Sequence, residues 1–94
     1  ERAAVKWLLG WLVEVAPGNS VEVRIPPYAA VQAVAGARHR RGNPPATVEC
    51  DARTWIQVAT GRLGWDEAVK SGQLSASGER SDLSRLMPLV TQGG

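Results

Sequence analysis

The chain has 94 residues, of which 44% are hydrophobic and 21% are charged. This length and composition predict one globular domain over residues 1–94 and exclude a disordered chain, a collagen and a disulfide scaffold. Eleven Lys and Arg residues against nine Asp and Glu residues give a net charge of +2. That excess is too small to indicate nucleic-acid binding by itself.

The single cysteine and the single histidine limit the chemistry that the chain can perform. Cys50 cannot form an internal disulfide, and structural zinc needs four nitrogen or sulfur ligands. A Ser-His-Asp triad would have to use His39, which lies among arginines whose positive potential disfavours the imidazolium form. We therefore expect no metal, no cofactor and no enzymatic activity.

The cysteine count, the start of the sequence and its hydropathy also predict the cellular location. A lone cysteine and the lack of a signal-like start favour the reducing cytoplasm. No apolar stretch approaches the roughly 20 residues that a membrane span requires. The sequence opens at Glu1 inside an apparent helix, so we expect some N-terminal residues to be missing.

A first helix is predicted over Glu1–Ala16. One apolar face has the spacing i, i+3, i+4, i+7 that is typical of a helix. It comprises Val5, Leu8, Leu9 and Leu12. A second apolar line beside it comprises Ala4, Trp7, Trp11 and Val15. Because only a narrow polar stripe remains, the pattern predicts a helix that is buried on more than one side.

Three strands and a basic loop are predicted next. Apolar and polar residues alternate over Val21–Ile25, which indicates a half-buried strand. A second strand follows a Pro-Pro pair and covers Tyr28–Ala35, and a third covers Ala46–Cys50. The segment Gly36–Pro45 between them is predicted to be a loop with a basic cluster.

Two helices and a fourth strand follow the third strand. Asp51 is a suitable N-cap for a helix that ends at Gly61, and a shorter helix ends at Gly72. The side chains predicted to point inward from these helices are Ala52, Trp55, Ile56, Ala59, Trp65, Ala68 and Val69. The fourth strand is predicted over Gln73–Gly78.

A last helix is predicted after this strand, with Ser81 as its N-cap. Its apolar face comprises Leu83, Leu86, Met87 and Val90. Pro88 shortens or kinks it, because proline lacks a backbone donor. Clustered strands followed by clustered helices predict an α+β fold, with an antiparallel sheet covered on one face by helices.

A family resemblance is carried by the stretch Thr47–Leu89, in its residues 48–89, VECDARTWIQVATGRLGWDEAVKSGQLSASGERSDLSRLMPL. The spacing of ATG, KSG and SASG within one segment resembles the sterol carrier protein family. The earlier SVEVRIPPYAAVQAVAG and RHRRGNPPATVECD are similar to its bacterial, actinobacterial-type branch. The resemblance implies a sheet of about five antiparallel strands, with helices on one face and a hydrophobic tunnel between them. A fifth strand would come from Tyr28–Arg40 or from the loop before Pro44.

The function that the resemblance implies is a non-catalytic module that binds a lipid or another apolar small molecule between sheet and helices. The same fold also serves as an accessory domain, so the alternative is an accessory or dimerisation domain with no ligand of its own. That alternative predicts a contact between two chains, such as a homodimer, through Trp7 and Trp11.

The candidate ligand-binding residues are Trp7, Trp11, Tyr28, Gln32, Trp55 and Leu86. The tryptophans would wall an apolar site or, alternatively, fill the core. Tyr28 and Gln32 would line a pocket mouth or play a structural role. The candidate anion contact is the run Arg38, His39, Arg40 and Arg41, which would bind phosphate or form a solvated loop. No aromatic residue interleaves with this run, so it does not favour single-stranded nucleic acid.

Overall fold

Three helices and four strands make up the part of the chain that the structure describes, residues 1–36 and 46–90 of a computed structural model. In chain order these elements are α1 (Arg2–Val15), β1 (Val21–Ile25), β2 (Ala29–Ala33), β3 (Ala46–Cys50), α2 (Ala52–Ala59), α3 (Trp65–Lys70) and β4 (Leu74–Ser77). A single 3₁₀ turn, Ser84–Leu86, follows β4. The fold is therefore α+β, as predicted.

The sheet is mixed, which corrects the prediction of a purely antiparallel sheet of about five strands. Its order is β2-β1-β3-β4, with β1 and β3 parallel and the two other pairs antiparallel. β2 folds back as a hairpin and occupies one side of β1, so the chain must cross to the other side of β1 to form β3. Four strands lie in the described residues, and the segment before Pro44 lies outside them.

The two faces of the sheet differ in polarity because successive side chains alternate along each strand. The face toward the helices carries the buried side chains Val21, Val23, Ile25, Ala33, Ala46, Val48, Cys50 and Leu74. On the opposite face Arg24 forms ion pairs with Glu22 at 2.8 Å and Glu49 at 3.9 Å. The helices therefore cover one face, as predicted.

Helix α1 is buried on one side only, which corrects the prediction of burial on more than one side. The side toward the sheet and α2 buries Val5, Leu8, Leu9 and Leu12. The other apolar line faces outward, and Trp7 is 61% exposed and Trp11 41% exposed. Neither of these tryptophans is a core filler, since no described element of the fold covers the outer side of α1.

Helix α2 supplies the largest side chain of the core. The carboxylate of Asp51 accepts a hydrogen bond from the backbone N–H of Thr54 at 2.8 Å, which confirms the predicted N-cap. Trp55 is fully buried, and its indole N–H donates to the carbonyl of Val5 at 3.4 Å. In α3 the predicted inward residues Trp65 and Ala68 are buried, whereas Val69 is 40% exposed.

The predicted last helix is wrong beyond one turn, Ser84–Leu86. The residue before a proline is biased toward extended backbone, and Met87, before Pro88, has ψ 142°. Ser81 is not the cap, because its hydroxyl donates to the carbonyl of Gly78 at 2.8 Å. The C-terminal segment instead packs on α2, where the amide of Leu89 donates to the carbonyl of Ala59 at 2.8 Å.

Candidate functional site

An open groove of about 680 Å³ lies between the end of α1, the chain just after β2 and the segment around the 3₁₀ turn. Its apolar lining includes Val15, Ala16, Pro17, Val34, Leu83 and Leu86. Its charged lining consists of Arg80, Asp82 and Arg85. We call this feature the α1 groove.

Hydrogen bonds between the α1–β1 connection and the residue that follows β2 build one wall of the α1 groove. The amide of Val34 donates to the carbonyl of Ala16 at 2.6 Å. The carbonyl of Val34 accepts from the Ser20 hydroxyl at 2.6 Å and from the Ser20 amide at 3.0 Å. These bonds fix the end of α1 against the end of β2, so this wall is rigidly placed.

Two residues of the α1 groove have left-handed backbone. Val34 has φ 69° and Arg80 has φ 67°. These are the described non-glycine residues with positive φ, and both line the same groove. A branched residue such as valine is strained in this conformation, and such strain is concentrated at functional sites in proteins.

The segment after β4 contributes the charges of the α1 groove. The carboxylate of Asp82 accepts a hydrogen bond from the amide of Ser84 at 2.9 Å, and this bond lowers the pKa of Asp82 below its usual value. Asp82 is therefore ionised at neutral pH. With the guanidinium groups of Arg80 and Arg85, the groove has a net positive rim beside apolar walls.

The outer side of α1 carries a stacked pair of aromatic rings next to this groove. The rings of Trp7 and Trp11 are parallel within 3°, with centroids 6.2 Å apart. The indole N–H of Trp11 donates to the carbonyl of Leu89 at 3.0 Å. Trp11 is thereby fixed to the C-terminal segment, while most of Trp7 remains exposed.

Sequence comparison shows the family to which the chain belongs. A family model described as bacterial SCP ortholog, where SCP stands for sterol carrier protein, matches residues 1–89. The chain belongs to this family. The match confirms the resemblance seen in the sequence and extends over α1. A comparison with curated proteins finds no match.

In this SCP ortholog the structure does not gather the predicted ligand-binding residues into one site. Trp55 is fully buried in the core between sheet and helices, together with Val48 and Val58. Tyr28 lies in the β1–β2 turn, at the end of β2 opposite to Val34. Gln32 pairs with Glu22 in the sheet and is exposed on its polar face. Leu86 alone of the six lines the α1 groove.

The sequence reasoning missed the residues that define the α1 groove of this SCP ortholog. Val34 was assigned to a strand, which ends one residue earlier, at Ala33. Arg80 and Arg85 are isolated cations in the sequence, and no spacing rule connects them with Val34 across some 50 residues. The predicted anion contact, Arg38–Arg41, lies outside the described residues.

The thiol of Cys50 is the one strongly shifted titratable group in the part of the chain described here. Burial, with smaller contributions from the charges of Asp51 and Glu49, raises its pKa to about 12. A thiol that stays protonated is a poor nucleophile. Cys50 is therefore a core residue of the SCP ortholog, not a reactive group.

Within 1–36 and 46–90, no group of three or more His, Cys, Asp and Glu side chains is arranged to hold a metal ion. None of the helices in these ranges combines the length and apolarity needed to cross a bilayer.

Proposed function

We propose that this SCP ortholog is a non-catalytic module that binds a lipid or another apolar small molecule in the α1 groove. The observation that carries the proposal is the groove itself, about 680 Å³ in volume with seven apolar lining residues, Ala35 included. Small-molecule sites in proteins have volumes of about 300–1,000 Å³ and mostly apolar walls with a few polar groups. We expect the module to work in the cytoplasm, where its single cysteine stays reduced.

The charged rim of the groove indicates the polarity of the ligand. Arg80 and Arg85 line the groove together with Leu83 and Leu86. Arginine binds carboxylate and phosphate groups through charge-assisted hydrogen bonds. A ligand with an apolar body and an anionic end would therefore match the groove better than a wholly apolar one.

The core between the sheet and α2 is a less suitable place for the ligand. Trp55 and Val48 are fully buried there and Val58 nearly so, and these side chains occupy the space between the two layers. Opening a cavity at this place would require displacing Trp55, whose removal from a core typically costs about 3–5 kcal/mol. The α1 groove needs no such rearrangement.

The test is a fluorescence titration of the 94-residue chain with cis-parinaric acid, an 18-carbon fatty acid, together with native mass spectrometry. The variant Leu86→Asp places a charge on the apolar lining of the groove. Val69→Asp is the matched control, at an exposed position of α3. We expect saturable binding that Leu86→Asp abolishes and Val69→Asp retains. An extra mass of a few hundred daltons that is lost on denaturation would identify a copurified ligand.

A different result would favour the accessory domain. If the wild-type chain binds no cis-parinaric acid and its native mass equals the mass of the chain alone, the ligand proposal is wrong. If binding survives Leu86→Asp unchanged, a ligand site exists but does not lie in the α1 groove. Circular dichroism of both variants establishes that a loss of binding is not a loss of fold.

A further inference from the structure

The most exposed side of α1 is a strip of four residues, one of which has a large side chain. At helical spacing i, i+4, i+7 and i+11 the strip consists of Ala3, Trp7, Gly10 and Glu14, all of which are exposed. It lies opposite the buried residues of the same helix. We call it the α1 strip, and Trp11 flanks it on one side.

Gly10 has no role within its own chain that would account for a glycine. It stands in the middle of a 14-residue helix, where glycine is less favourable than alanine because it loses more conformational freedom on folding. A Cβ added to Gly10 would meet nothing within 4 Å. The open space lies on the outer side, where a notch beside Trp7 can admit a large side chain from another molecule.

The exposed charges of α1 have no partner in the described fold. Glu14 stands near the C-terminal end of the helix, where basic groups are favoured. Within residues 1–36 and 46–90, no ion pair or hydrogen bond engages the side chains of Arg2, Lys6 or Glu14. These three side chains can therefore pair with complementary charges on another molecule.

We propose that a second copy of this chain packs on the α1 strip, with the two helices antiparallel. A two-fold axis midway between Trp7 and Gly10 places Trp7 over the partner's Gly10, and it places the partner's Trp7 over Gly10. The same axis brings Glu14 beside the partner's Arg2 and the partner's Lys6, and it aligns helix dipoles of opposite sense. One arrangement thus accounts for the notch, the exposed ring and the unpaired charges, since an isologous contact must be self-complementary.

The contact is small, so the dimer is weak. Its apolar part comes mainly from Trp7, which is 61% exposed, and Trp11, which is 41% exposed. Two helices of this length bury less than about 1,200 Å² of surface. Protein contacts below that area are typically transient. We therefore expect a monomer–dimer equilibrium at micromolar to millimolar concentration, which is separate from ligand binding in the α1 groove.

The first test measures the dissociation constant of the dimer by sedimentation equilibrium over a wide concentration range. Replacing Trp7 and Trp11 together by Gln should raise this constant at least tenfold, because buried aromatic side chains dominate such contacts. The control Val69→Gln removes an exposed apolar side chain from α3 and should leave the constant unchanged. A chain that stays monomeric at all concentrations overturns the proposal and leaves the strip to another kind of partner.

The second test determines the direction of the helices. Glu14→Lys alone and Lys6→Glu alone should each weaken the dimer about three- to tenfold, and the double variant should restore it. Glu79→Lys makes the same charge change at an exposed position away from α1 and should have no effect. If the double variant is no tighter than the singles, the antiparallel arrangement is wrong.

A third variant separates the dimer from folding and from the ligand. Gly10→Ala should raise the melting temperature at low protein concentration, where the monomer dominates, and yet weaken the dimer. A dimer that Gly10→Ala leaves unchanged would contradict the close approach at the notch. Leu86→Asp should leave the dimer unchanged, so the ligand proposal and this one fail independently.

Discussion

The indole N–H of Trp11 and the carbonyl of Leu89 form a hydrogen bond of 3.0 Å that joins residues 78 apart in the sequence. It fixes the C-terminal segment to the first helix. The amides of Leu89 and Val90 both donate to the carbonyl of Ala59, so the same segment is also held by α2. These three hydrogen bonds hold the C-terminal segment in place, where the sequence predicted a helix.

Replacing Trp11 by Phe tests the first of these bonds. Phenylalanine keeps an apolar ring but cannot donate, so we expect the free energy of unfolding to fall by about 0.5–1 kcal/mol. Urea denaturation at low protein concentration measures the change. Trp7→Phe is the matched control, since no hydrogen bond in the described residues engages the Trp7 indole. Equal effects of the two substitutions would show that the bond to Leu89 contributes nothing.

The core position of Trp55 predicts a large loss of stability on truncation. Trp55→Ala should lower the free energy of unfolding by about 3–5 kcal/mol, because the side chain is fully buried and a cavity remains. Trp7→Ala, at a mostly exposed position, should cost less than about 1 kcal/mol. A loss below about 1 kcal/mol for Trp55→Ala would mean that this side chain is not a core residue.

The N-cap of α2 predicts a pH-dependent contribution from Asp51. The hydrogen bond from the amide of Thr54 lowers the pKa of this carboxyl below its ordinary value of 3.8. Its contribution is therefore complete above about pH 4 and is lost as the pH falls through the lowered pKa. Asp51→Ala should cost about 1 kcal/mol at pH 7, and Asp51→Asn much less, because asparagine is also a good cap. Equal losses for Ala and Asn would exclude capping as the cause.

The buried thiol of Cys50 predicts a decline of stability at high pH. Burial raises its pKa from an ordinary value of 9.0 to about 12. The folded chain therefore holds this proton where the unfolded chain has released it, so stability is complete below about pH 9 and falls as the pH rises toward 12. Thermal melts of wild type and Cys50→Ala over this range measure the difference in slope. A thiol reagent that labels the native chain as fast as the unfolded chain at pH 8 would contradict the burial.

The left-handed backbone of Val34 predicts that glycine is tolerated there. Glycine adopts positive φ without strain, so Val34→Gly should be nearly neutral despite the lost side chain. Val31→Gly removes the same side chain from extended backbone in β2 and should cost at least about 1 kcal/mol more. Chemical denaturation of the two variants gives this comparison. A greater loss at residue 34 than at residue 31 would show that strain at Val34 is not significant.

Local signals in the sequence predicted most of the elements. The four buried residues of α1, the alternation in β1 and the cap at Asp51 depend on neighbours within a few residues, and such patterns are read directly. The order of the strands was not predicted, because whether β3 lies beside β1 or β2 depends on a connection of 12 residues between β2 and β3. The exposure of Trp7 was not predicted either, since a hydrophobic pattern does not say whether a covering element exists.

The candidate groove could not be predicted for a similar reason. Val34 and Arg85 reach one site only through the crossing of the chain and the failure of the last helix at Pro88. The conformations of Val34 and Arg80 result from long-range hydrogen bonds and turn geometry, which no composition rule indicates. Leu86 was named as a candidate ligand-binding residue and also placed on the predicted last helix; it lines the groove, although that helix does not extend beyond one turn.

The contact between Val5 and Trp55 also determines when α1 can be covered during synthesis. α1 leaves the ribosome before α2, whose side chains help to bury it from 50 residues further along the chain. At about 5–20 residues per second this interval lasts roughly 3–10 s. Throughout it α1 lacks the cover that α2 supplies, so part of its apolar face stays exposed on the nascent chain until α2 emerges.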